Sequence, residues 1–230
     1  MREALARVDR WSAEKFKEWY GEKEDVQTHF SHTLTAARRG DPSAKQKLLG
    51  LVRDRRLPAV VRATGLSELG QFSSSEVLSA CSDVLTDPDP QVRAGAITNL
   101  QVLSDEPLVK LVAPRLLDPI REVRTEAARV LARVNESLLK GSQRQARQAA
   151  FREFEQGQLA TSERAAAHMT LASLYESLHE SDKAVQAYET AMHVEPHISG
   201  PRTNLAALLD RLADQAESQI AELRVASPRE

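Results

Sequence analysis

The sequence predicts an all-α chain, an α-solenoid of stacked antiparallel helix pairs. Three observations carry that prediction. Equivalent apolar and charged residues recur at a fixed step of 31 through the middle of the chain, from Val61 to Val92 to Val123. A different arrangement of small, aromatic and proline residues follows it. Aromatics make up only 4% of the 230 residues, against 41% hydrophobic residues in all. That composition suits a core of Leu, Ala and Val at helix–helix contacts. Ten prolines and nine glycines fit many short helices with breakers between them.

Residues 1–25 read as one amphipathic helix, with Leu5, Val8, Ser12, Phe16 and Trp19 at three- and four-residue steps and Gly21 ending it. A second helix is expected from about Val26 to Arg39, with Val26, Phe30, Leu34 and Ala37 on one face. It stops at Gly40-Asp41-Pro42. Glycine supplies the left-handed position after a helix, and proline suits the first turn of the next one. That next helix carries Leu48, Leu49, Leu51 and Val52.

The 31-residue register then takes over. It relates Val61-Arg62 to Val92-Arg93 and Val123-Arg124, and Leu69 to Leu100 and Leu131. It also relates Ala96 to Ala127, and Asp87-Pro88 to Asp118-Pro119. In the second helix of each pair it relates Val77 to Leu108, Leu78 to Val109, Cys81 to Val112 and Leu85 to Leu116. A helix pair of this kind cannot bury its apolar face alone, so units stack and share one core. Each Asp-Pro is expected to cap and open a helix. Each arginine, one turn in, is placed to reach an aspartate of its own or the neighbouring unit. Residues 26–134 resemble HEAT repeats in the order Asp-Pro, Val-Arg, Ala, Leu. The earliest unit departs, with Arg56 where Asp87 would map and Gly65 where Ala96 would. Capping there has to come from elsewhere.

A polar break, Asn135-Glu136-Ser137 and then Lys140-Gly141-Ser142, marks the expected boundary with residues 135–230. Beyond it, Leu171, Ala172, Tyr175, Ala184, Tyr188, Ala191 and Pro196 resemble a tetratricopeptide (TPR) unit in every spacing. His168 stands at that family's usual Trp, and His179 at its usual turn Gly. One 34-residue step back, Ala150 and Phe154 match a second helix. One step forward, Leu205, Ala206 and Leu209 match a first helix, after which Ala216, Ile220 and Pro228 come two residues early and imply a tightened turn.

Several function classes are disfavoured. Thirty-one basic and 33 acidic residues leave a net charge of −2, unlike a protein that binds nucleic acid by neutralising phosphates. The cluster Arg53, Arg55 and Arg56 is interrupted by Asp54 and reads as a solvated turn. Cys81 is the single cysteine and lies in an apolar run, which rules out a disulfide framework and a Cys-based metal site. No apolar stretch approaches the ~20 residues of a membrane span. Met1-Arg2-Glu3 opens no signal peptide, so an export signal would have to lie upstream.

Six histidines include the pairs His29/His32 and His193/His197, but neither has a convergent third ligand in the sequence. Gly65, Gly70 and Gly95 are isolated within repeats and form no phosphate loop. The expectation is therefore a chain that is not an enzyme and has no catalytic, cofactor or metal residues. It would hold a protein or peptide on the concave surface of its repeats. Met169, Ser173 and Glu176 in one unit, with Thr203, Asn204 and Asp210 in the next, are the candidate partner-binding residues. Asn204 falls where TPR units that bind peptides often place a side-chain amide.

The order of parts resembles a larger arrangement. Lys17-Glu18-Trp19-Tyr20-Gly21 leads to His29-Phe30, then to Ala36-Ala37-Arg38-Arg39-Gly40-Asp41-Pro42, then to HEAT-like and TPR-like units. This is similar to the C-terminal region of bacterial TPR-containing multihaem c-type cytochromes. The resemblance implies a periplasmic location, electron transfer, and a last Cys-x-x-Cys-His haem motif at or before Met1. The chain itself contains no such motif, and its own cofactor set is expected to be empty. The leading expectation is a non-catalytic interaction scaffold. The alternative is a haem-dependent electron-transfer protein whose haem-binding part is absent from this chain.

Overall fold

The computed structural model describes residues 29–226, together with Trp11, Glu14, Lys15 and Glu18. The stripe Leu5, Val8, Ser12, Phe16 and Trp19, its end at Gly21 and the expected helix start at Val26 lie outside the described residues. So do the side chain of Ile220 and the expected Pro228. Among the described residues the fold is all-α, with no strand. From residue 29 onward its α-helices are α1 (Phe30–Arg38), α2 (Ala44–Arg53), α3 (Ala59–Leu69), α4 (Ser75–Asp83), α5 (Pro90–Leu100), α6 (Asp105–Val112), α7 (Arg121–Val130), α8 (Gly141–Leu159), α9 (Ala165–Ser177), α10 (Ser181–Val194) and α11 (Gly200–Ala226). Two 3-10 turns, Ala113–Leu117 and Glu136–Leu138, join α6 to α7 and α7 to α8. The chain forms two compact units, Met1–Ala80 and Cys81–Glu230.

In the first unit, α1 ends as its sequence predicts. Gly40 takes φ 74°, its N–H donates to Ala37 O at 2.8 Å, and the Asp41 N–H donates to Ala36 O at 3.0 Å. These two bonds satisfy carbonyls that the helix end would orphan. Asp41 then starts the next turn, its Oδ1 accepting from Ser43 N at 2.8 Å.

Helices α2 and α3 pack through Leu48, Leu51 and Val52 against Val61, Leu66 and Leu69, all buried. The departure at Gly65 has a steric cause. A Cβ there would stand 2.6 Å from Leu51 Cδ2 and 3.2 Å from Val52 Cγ2, so this pair approaches more closely than alanine allows. The departure at Arg56 is compensated by Asp54. Its Oδ1 accepts Arg56 N at 3.0 Å, and its carboxylate takes the Arg56 guanidinium at 2.9 and 2.8 Å. Those bonds hold the Asp54 carboxyl at about 2.

One pair of substitutions separates packing from propensity. Gly50, also in α2, has nothing within 4 Å of its would-be Cβ. Gly50→Ala should raise stability by about 0.5–1 kcal/mol, the entropic cost of a mid-helix glycine. Gly65→Ala gains the same propensity but overpacks at about 1–3 kcal/mol, so it should be neutral to destabilising. Urea midpoints of the two variants check this.

In the second unit, the 31-residue register marks equivalent core positions. Val92, Ala96 and Leu100 of α5, and Val123, Ala127 and Leu131 of and just after α7, are all fully buried. Leu108 and Val112 of α6, and Leu116 of the 3-10 turn after it, line the other side. The expected role of the Asp-Pro pairs is corrected. Helix α5 begins at Pro90 and is capped by Asp89, whose side chain accepts from Gln91 N at 2.9 Å. Helix α7 begins at Arg121 after Ile120. Asp87 and Asp118 lie two residues before those caps. Each folds its Oδ1 onto the N–H two residues on, at 3.0 Å. A short Asx turn thus comes between the Asp-Pro and the helix, and it leaves the Asp118 carboxylate facing a neighbour.

Helix α8 packs on both α7 and α9, so one 19-residue helix serves both arrangements. Its Ala150 is buried, and its Phe154 packs on a cluster of Leu171, Ala172, Ala184 and Tyr188. Helices α9 and α10 meet at a turn where His179 takes φ 58°. His179 N donates to Glu176 O at 3.0 Å, and Glu180 N donates to Tyr175 O at 2.9 Å. The histidine thus adopts the left-handed geometry usual for a turn glycine. His168 is buried, and its Nε2 donates to Ser162 O at 2.9 Å. The tightened turn expected after Leu209 does not form. Helix α11 runs unbroken for 27 residues, because Ala206–Gln219 contains neither Gly nor Pro and is rich in helix formers.

Candidate functional site

The hydrogen bonds between neighbouring helix pairs follow the repeat step. Arg93 of α5 donates from Nε and Nη2 to the Asp118 carboxylate at 2.9 and 2.7 Å. Its Nη1 donates to Asp87 O and Pro88 O at 2.8 and 3.1 Å. Arg124 repeats the arrangement one unit on, with Nη1 on Asp118 O and Pro119 O, both at 2.9 Å. There the next acceptor is Glu153 of α8, at 2.9 Å from Nη2. No Asp-Pro follows at that step, so a glutamate from a longer helix takes its place. Each arginine therefore ties its own loop to the next helix pair.

The candidate partner residues lie on α9 and α11. The structure brings three of the six together around one hydroxyl. Tyr188 of α10 is buried, and its Oη donates to Glu176 Oε1 at 2.5 Å. Ser173 and Asn204 lie beside the same hydroxyl. Burial and then the Glu176 carboxylate raise the Tyr188 pKa above that of an ordinary phenol, and the neighbouring Ser173 and Asn204 side chains offset part of that rise. The other three lie apart from this hydroxyl. Met169 is half-buried at the start of α11, against Gly200. Thr203 is exposed and gives its hydroxyl to Ser199 O at 3.3 Å. Asp210 is exposed.

Sequence reasoning did not single out one further residue of this cluster. Arg211 donates from Nη2 to Glu176 Oε2, with the Arg211 side chain 55% exposed and that of Glu176 22%. A 34-residue step from Glu176 lands on Asp210, and the structure uses the residue beside it. The result is a patch where hydroxyl, amide and guanidinium groups from two helices surround the Glu176–Tyr188 pair. Ser173, Asn204 and Arg211 reach solvent there. Such groups can pair with a peptide backbone or a carboxylate.

Acid–base or nucleophilic chemistry has little footing. Burial pushes the Cys81 thiol up to about 12, which keeps it protonated and unreactive. Among the described residues, no three or more His, Cys, Asp and Glu side chains are grouped to hold a metal. No described helix is long and apolar enough to cross a membrane. His29 caps α1, its Nδ1 accepting from Ser31 N at 3.3 Å, while His32, His193 and His197 are exposed. In the first unit, an open groove of about 490 Å³ is lined by Phe30, Lys47, Leu51, Asp54 and Leu57, with His29 at its edge.

Residues 55–132 match the family model of HEAT repeats. Comparison with curated proteins and with solved structures finds no match. The matched span covers Val61-Arg62, Val92-Arg93 and Val123-Arg124, the positions that carry the 31-residue register. HEAT repeats commonly serve as scaffolds for protein interaction, through the extended surfaces that stacked units create.

Proposed function

We propose that this chain, with HEAT repeats over 55–132, is a non-catalytic protein-interaction scaffold. Its docking face is the TPR-like pair α9–α10 together with α11, and its partner is a protein or peptide segment that lies across α9 and α11 on their concave side. One observation carries the proposal. Glu176 bonds both the buried Tyr188 hydroxyl and Arg211, with Ser173 and Asn204 beside that hydroxyl, while Ser173, Asn204 and Arg211 remain open to solvent. A fixed anchor beneath exposed donors lowers the entropy cost of binding. No cofactor in this chain is required. The electron-transfer alternative that the cytochrome resemblance implies rests on no observed geometry.

The test is paired affinity capture. Asn204→Ala/Arg211→Ala should weaken recovery of a partner held by the intact chain by about tenfold or more, the scale of one or two lost hot-spot contacts. Glu189→Ala, exposed on α10, should leave recovery unchanged. Both variants should melt within a few degrees of the parent. Equal recovery by all three proteins would count against this face.

A further inference from the structure

We propose that Met169 is a peroxide-sensitive residue that controls the seating of α11, and through it the docking face. The consequence for docking rests on the function proposed above. The chemistry and the helix movement do not.

The observation is a close approach. Met169 lies on α9 and Gly200 is the first residue of α11. A Cβ on Gly200 would stand 3.2 Å from Met169 Cε and 3.7 Å from its Sδ. The thioether therefore lies beside a residue that has no side chain, where the long helix starts. Thr203 and Asn204 follow within one turn of that approach, and Asn204 lies beside the Tyr188 hydroxyl. Met169 is half-buried rather than sealed, so a small oxidant can reach the sulfur.

The reaction is a two-electron oxidation by a hydroperoxide. The Sδ lone pair attacks the distal peroxide oxygen and the O–O bond breaks. The sulfur gains one oxygen, and hydrogen peroxide leaves as water. The product is a polar, chiral sulfoxide. Its oxygen has to find room beside Gly200, where even a methyl group would crowd the thioether. Interiors of native packing density yield little to an added atom. The start of α11 is then displaced, and Asn204 moves away from Tyr188. Methionine sulfoxide reductases reverse the change.

The experiment treats the full chain with hydrogen peroxide and follows Met169 by peptide mass. Amide exchange is read across residues 203–208 with no partner present. Oxidation at Met169 should speed exchange there by about tenfold. Met169→Leu should abolish that response, Met192→Leu should keep it, and reductase treatment should restore protection. Unchanged exchange at 203–208 after full oxidation of Met169 would overturn the proposal, as would oxidation that proceeds only in denaturant. Partner capture is read separately. Faster exchange with capture unaffected keeps the switch and removes the docking face.

Discussion

Arg93→Leu should destabilise the second unit by about 3–5 kcal/mol, the cost of stranding one partner of a buried ion pair. Arg93 and Asp118 have side chains only 9% and 4% exposed. Without the guanidinium, the Asp118 carboxylate keeps the Ile120 N–H at 3.0 Å but loses two charge-assisted bonds. The carbonyls of Asp87 and Pro88 lose their donor as well. The equivalent change one unit on, Arg124→Leu, should cost less, about 1–2 kcal/mol. Its carboxylate partner Glu153 has a side chain 33% exposed, and water can replace what is lost. The double variant Arg93→Met/Asp118→Leu should recover much of the loss, because it removes the uncompensated charge along with its partner. Urea unfolding of the four proteins checks the ranking.

The same pair sets an acid response. Burial by itself would raise the Asp118 pKa. The hydrogen bonds from Arg93 and Ile120 N, with the positive charge of Arg93 and Arg115, outweigh burial and lower it below the usual carboxylate value. A carboxyl held below its unfolded value of about 3.9 adds stability above that pH, and loses it as pH falls through the lowered folded value. The parent should therefore weaken below about pH 4. Arg93→Leu leaves Asp118 buried without its counter-charge, so the gap between parent and variant should narrow over that same interval.

Tyr188→Ala should cost about 3–5 kcal/mol, the range for truncating a fully buried aromatic side chain. Tyr188 packs with Leu171, Ala172, Ala184 and Leu208, from α9, α10 and α11. Tyr188→Phe keeps the ring and removes only the bond to Glu176, so it should cost about 1 kcal/mol. The two variants divide core from surface. Tyr188→Phe should retain the fold yet free Glu176 from its buried anchor. Thermal melts should then show a small shift while partner capture falls severalfold.

Helix pairs were legible in the sequence wherever a residue's role is local or recurs. Gly40 signals a left-handed helix end by its type and its neighbours. Val61, Val92 and Val123 reveal their positions by recurrence, since every unit needs an apolar residue at the same place. Features that depend on a neighbouring unit were harder to see. Asp118 looked like a helix cap because Asp-Pro often is one. Its carboxylate is instead used by Arg93, 25 residues earlier, which no local pattern displays. Gly65 stood out as a departure, but its cause is a leucine on another helix. The turn expected after Leu209 came from matching a repeat template over a stretch that lacks any breaker. Propensity along the helix decided there.

The candidate site was half legible for the same reason. Ser173, Glu176 and Asn204 follow from a helix face, and the structure joins them. Arg211 does not follow, because its partner lies on a different helix and one residue out of step. Met169 was singled out for its face rather than for its contact with Gly200, which only the packing of α11 reveals.

Displayed peptide libraries selected against the intact chain test most directly whether this repeat array presents a docking face. Amide-exchange footprints of the selected peptides should protect residues 169–176 and 203–211. Asn204→Ala/Arg211→Ala should weaken those peptides by about tenfold. Footprints confined to other segments, or affinities unmoved by that double variant, would contradict the assignment of docking to α9 and α11.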